Sequence, residues 1–128
     1  MGIPATIPPP VEPQSGTFDV SALADELGGR PDHNVGTRLL FENDRVKVWE
    51  IVLEPGARTR FHWHVHPYFF VGAAIGRVRT RFPNGFYVDG DAEPGEFASM
   101  QHSEDDPGVH DLENIGDTTI RYTTVELL

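Results

Sequence analysis

The chain has 128 residues, 20 acidic side chains against 10 basic ones, a formal net charge of −10 and no cysteine. That length is one ordinary domain. The charge repels phosphate backbones and anionic headgroups, which sets aside nucleic acid and membrane surfaces as partners. The lack of cysteine excludes disulfides, thiolate metal sites and a cysteine nucleophile.

Taken in chain order, residues 1 to about 16 are rich in proline, including Pro8-Pro9-Pro10, and read as an extended arm. Asp19 to Leu27 carries the one good helical pattern. Asp19 is placed to cap it, Val20, Leu23, Ala24 and Leu27 share a face, and Gly28-Gly29 stops it. The arm and short helix, 1–36, precede a β-rich region, 37–128. Arg45 to Leu53 alternates and is closed by Glu54-Pro55-Gly56. Strand-forming residues resume at Phe61, break at Pro67 and continue from Tyr68 to Gly76. Pro83-Asn84-Gly85 turns Arg77–Phe82 back onto Phe86–Val88 as a hairpin. Glu93-Pro94-Gly95 precedes the strand Glu96–Met100, and Ser103 to Gly108 forms an acidic loop. Val109–Glu113 and Thr119–Leu127 complete the set. Many short strands separated by turns predict a sandwich or barrel. The longest apolar run, Phe69 to Ile75, is too short to span a bilayer, and no basic region followed by an apolar run opens the chain. A cytoplasmic protein is expected.

Five of the six histidines fall between positions 62 and 110, three of them in His62-Trp63-His64-Val65-His66. On a strand, residues two apart share a face with Cα atoms about 6.7 Å apart, so His62 and His64 lean together onto one ion. His66 would stand about 13 Å from His62 on a straight strand and is treated as the outsider. The third ligand expected is His110, at the mouth of a later strand. Three imidazoles suit Fe, Ni, Zn, Mn or Cu and leave coordination positions open for a substrate.

These residues carry a resemblance. Gly56, five residues, His62-x-His64, four residues, Phe69, six residues, Gly76 resembles the first motif of the cupin superfamily. Gly95-Glu96, then Pro107-Gly108-Val109-His110, three residues and Asn114 resembles the second, with a longer spacing than usual between Gly95 and His110. The two motifs cover roughly residues 39–127. The resemblance implies an all-β, double-stranded β-helix (cupin or jelly-roll) barrel with a metal in its lumen, and a homodimer. His62, His64 and His110 match the family's histidine ligands. Phe69 stands where the family usually has a glutamate, so it puts an aromatic ring beside the metal in place of a ligand.

Other residues complete the expected site. Tyr68, beside the break at Pro67, offers a hydroxyl. Arg60 has the parity of His62 and is the expected contact for a substrate anion. Phe69, Gln101 and His102 are candidates for the substrate pocket. Glu96 and Gln101 are weighed as an oxygen ligand in place of the missing glutamate, and Glu96 reads as solvated. Arg77, Arg79 and Arg81 share a strand face that reads as solvated. All-histidine sites occur in cupin-type Fe(II) dioxygenases, so the expected function is a mononuclear metal-dependent dioxygenase for a small organic substrate. A Zn, Ni or Mn lyase or isomerase and a non-enzymatic small-molecule binder are the alternatives.

Overall fold

A computed structural model describes residues 14–128. The proline run expected as an arm lies almost wholly outside the described residues. Its last residues do not stand apart: Gln14–Thr17 forms strand β1 and pairs with the hairpin strand β7. The helical segment is a 3-10 turn, Val20–Leu23, running into a short helix α1, Ala24–Gly28, and the Asp19 side chain accepts the Ser21 N–H at 2.9 Å.

The remaining strands are β2 (Arg38–Glu42), β3 (Val46–Leu53), β4 (His62–His64), β5 (Tyr68–Gly72), β6 (Gly76–Arg81), β7 (Phe86–Ala92), β8 (Phe97–Met100), β9 (Gly108–Asn114) and β10 (Ile120–Leu127). They form two five-stranded antiparallel sheets, ordered β1-β7-β6-β9-β4 and β2-β3-β10-β5-β8. Three turns expected from the sequence place glycine where only glycine is unstrained: Gly56, Gly85 and Gly95 have φ of 85°, 88° and 81°.

Alternation explains which faces meet. Along β3, Trp49, Ile51 and Leu53 are buried, and along β10 so are Ile120, Tyr122, Thr124 and Glu126. Ile51, Leu53, Val78, Ala92, Ile120 and Tyr122 make the core between the sheets, with Ala57, Phe70 and Leu112 packed against it. On the outer side of β6, Arg77, Arg79 and Arg81 pair with Asp91, Asp89 and Asp111 at 2.6, 2.7 and 2.6 Å. That face is polar as expected, although Asp111 is itself fully buried. Among the described residues no helix is long and apolar enough to cross a membrane.

Candidate metal centre

Strand β4 pairs with β9 in a register that sets His62 opposite His110 and His64 opposite Gly108. This pairing brings together histidines 46 residues or more apart in sequence. One nitrogen from each of His62, His64 and His110 lies within 4.8 Å of the others. The rings stand edge to face, with centroids 4.8–4.9 Å apart. His64 Nε2 and His110 Nε2 are 3.1 Å apart.

The donor chemistry fits a metal ion. His62 Nδ1 lies 2.9 Å from the Arg60 carbonyl, which only accepts, so Nδ1 carries the proton and Nε2 keeps a free lone pair. A backbone carbonyl holding the far nitrogen is a common support for a metal-binding imidazole. Burial makes protonation costly. It pushes His62 and His64 below the ordinary histidine range, and the neighbouring imidazoles press His64 further down. Burial and His62 and His102 bring His110 down to about 3. All three are neutral at physiological pH, as ligands must be. The His64 Nδ1 atom is buried without a hydrogen-bond partner.

The strands are pinned behind the site. Asp111, next to His110, accepts from Arg58 Nη1 at 3.0 Å and Arg81 Nη2 at 2.6 Å. Arg58 also bonds Glu26 of α1, whose carboxylate accepts the backbone N–H of Phe61, the residue before His62. The short helix is thus anchored through Glu26, an ionic contact, and none of Val20, Leu23, Ala24 and Leu27 on its apolar face is buried.

The histidines open into a cavity of about 550 Å³, lined also by Tyr68, Phe70, Phe82, Met100, His102 and Leu112. Tyr68 is buried, and its ring stacks on His64 with centroids 3.9 Å apart and planes 15° apart. Burial pushes its hydroxyl up to about 12, so it keeps its proton. His102 lies over Gly108, where the missing side chain leaves room for its ring. A Cβ there would sit 2.6 Å from His102 Cε1. The ring centroid of His102 is 6.3 Å from that of His64, and His102 does not join the three-nitrogen cluster.

Three expected positions need correction. Phe69 is outside the cavity lining and packs on Phe97 at 5.7 Å. On β5, Tyr68 and Phe70 face inward, so the alternation sends Phe69 outward, and Tyr68 is the aromatic beside the histidines. Arg60 lies before β4, with its side chain 66% exposed and 3.8 Å from Asp32, and it does not reach the cavity. Gln101 is exposed and also lies outside the lining. Strand parity cannot be counted through Arg60 because it does not belong to a strand, and Gln101 lies just past the end of β8. His66 lines a separate surface cleft with His33, Trp63 and Lys47, consistent with its exclusion from the cluster. Sequence reasoning took Glu96 for a solvated residue. It lines the cavity instead and accepts a hydrogen bond from Tyr122 at 3.1 Å.

No family model and no curated protein matches the chain. Solved structures do. A cupin domain from Bordetella pertussis Tohama I is 25% identical, over 79% of this chain and 99% of that one, with a TM-score of 0.63. An uncharacterized conserved protein with a double-stranded β-helix domain from Klebsiella pneumoniae is 20% identical over 86% and 87%, with a TM-score of 0.57. A cupin-family protein from Methanocaldococcus jannaschii is 15% identical over 77% and 85%, with a TM-score of 0.54. The chain therefore has the cupin fold, a double-stranded β-helix barrel with a three-histidine cluster that fits a cupin metal site.

Proposed function

We propose that the protein is a mononuclear metal-dependent enzyme, an Fe(II) dioxygenase acting on a small organic substrate. The observation that carries this reading is the convergence of three neutral imidazoles, with no carboxylate in their cluster, on one largely apolar cavity. His62, His64 and His110 would hold the ion. Iron bound there supplies the activation of dioxygen, and three protein donors leave positions for substrate oxygens. The chain's own residues do the rest. The Arg60 carbonyl fixes the His62 tautomer, and Tyr68 presents a protonated hydroxyl beside His64. The walls of Phe70, Phe82 and Leu112 exclude water and favour a flat or apolar substrate.

Elemental analysis of freshly purified protein tests the site. One equivalent of metal is expected in wild type, with a loss of at least about tenfold in affinity in His62→Ala. Equal loading of the two proteins would remove the assignment. Oxygen uptake separates a dioxygenase from a Zn, Ni or Mn lyase or isomerase, which the same donors also serve. Protein purified without metal and indifferent to added metal would favour a small-molecule binder. A cytoplasmic homodimer completes the proposal. The edge strand β2 supports pairing by exposing Leu39, Leu40 and Phe41, and analytical ultracentrifugation checks it.

A further inference from the structure

The cavity has two chemically distinct ends. On β5, Tyr68 is opposite Glu126 of β10, whereas Gly72 is opposite Tyr122. Tyr68 marks the histidine end, and Tyr122 lies four residues further along, roughly 13 Å of strand. The wall between these ends is mostly apolar, with Phe70, Val78 and Leu112, and carries only the uncharged hydroxyls of Thr80 and Thr124. At the far end Glu96 is the one acidic or basic side chain, apart from histidine, among the described residues that line the cavity. No lysine or arginine of the described residues makes an ion pair with it.

This carboxylate is held in place. Tyr122 donates its hydroxyl to Glu96 Oε1 at 3.1 Å. Gly72 N–H donates to the Glu96 carbonyl at 2.8 Å, and Gly95 N–H to the Gly72 carbonyl at 2.9 Å. A Cβ at Gly72 would lie 2.6 Å from the Glu93 carbonyl oxygen and 3.3 Å from the Glu96 Cβ, so the close approach of this turn to β5 needs glycine. A carboxylate fixed beside a low-dielectric wall, with its second oxygen not committed to Tyr122, attracts a cation and repels an anion.

We propose that Glu96 and Tyr122 form a cation-recognising subsite, so that the cavity's ligand has an apolar body ending in a protonated amine remote from the histidines. The proposal deepens the enzyme reading above, with the oxygen-bearing end of the substrate at the metal and the ammonium at Glu96. It also reverses the sequence expectation of a substrate-anion contact through Arg60.

Calorimetric titration with 4-phenylbutylamine, 4-phenylbutanol and 4-phenylbutyrate tests it, at 0.15 M salt on metal-free protein and again on protein loaded with one equivalent of Ni(II). The amine is expected to bind about tenfold more tightly than the alcohol, and the acid most weakly. Glu96→Gln is expected to erase the amine's advantage while leaving the alcohol's affinity unchanged, which also verifies that the cavity is folded. Tyr122→Phe, which frees the carboxylate to wander, narrows the ratio. Equal binding of amine and alcohol, an amine preference that survives Glu96→Gln, or no binding of any probe would each overturn the subsite. The metal-free arm reads Glu96 without the histidines, so failure to load metal sinks the enzyme reading alone.

Discussion

At the scale of single residues, two glycines make opposite forecasts. Gly76 opens β6 against Ile120, which is fully buried, and a Cβ at position 76 would collide with Ile120 Cδ1. Gly76→Ala therefore overpacks the core and is expected to cost about 1–3 kcal/mol, seen as a lower denaturation midpoint. Gly90 has no atom within 4 Å of its virtual Cβ, so Gly90→Ala is expected to be neutral or slightly stabilising in the same assay. Phe61, with no exposed surface, is the complementary case. Phe61→Ala is expected to lose about 3–5 kcal/mol, as for other large buried side chains. The three-histidine cluster was legible at this scale because strand parity and a distal histidine suffice to name its members. The aromatic neighbour was misassigned by one position. Motif spacing from Gly76 pointed to Phe69, whereas the pleat that begins after Pro67 turns Tyr68 inward.

At the scale of elements, the turns were the most readable feature, since Gly56, Gly85 and Gly95 each occupy a conformation that other residues avoid. Strand starts followed within a residue or two, but β5 stops at Gly72, short of the expected Gly76, and β7 runs on to Ala92, past the expected Val88. Partnerships across the sheets were not readable. Nothing local in the sequence says that Asp111 takes Arg58 and Arg81 together, or that Glu26 crosses from α1 to the start of β4. Asp111 has no exposed surface, so removing its charge strands the Arg81 guanidinium and leaves Arg58 with Glu26 alone. Asp111→Asn is expected to destabilise by about 3–5 kcal/mol, the usual loss on breaking a buried pair. Denaturant unfolding checks the size, and metal loading of the surviving folded fraction shows whether β9 still presents His110.

For the molecule as a whole, the barrel class was legible from strand number and turn density. The extent of the sheets was not, because Gln14–Thr17 reads as the end of a proline-rich arm and yet extends one sheet through β7. Acid sensitivity is a property at this scale. His62, His64 and His110 all titrate below the ordinary histidine value when folded. The unfolded chain therefore binds more protons than the native one once pH drops below about 6.5. For metal-free protein the stabilisation is complete above that pH and is lost as pH falls, with His110 contributing until about 3. Each histidine adds a slope of up to about 1.4 kcal/mol per pH unit. Urea melts of metal-free protein at pH 7.5 and 5.5 check this, and His110→Phe is expected to flatten the dependence.

Strand β4 has three residues and ends its sheet, with β9 as its ladder partner and the Asp32 carbonyl receiving the Trp63 N–H on the other side. So short a ribbon frays readily by itself. Because His62 faces His110 across that seam, an ion shared by them would rivet the ribbon shut. Deuterium uptake in residues 62–64 would then report site occupancy directly, slow with the rivet in place and fast once a chelator has drawn it out.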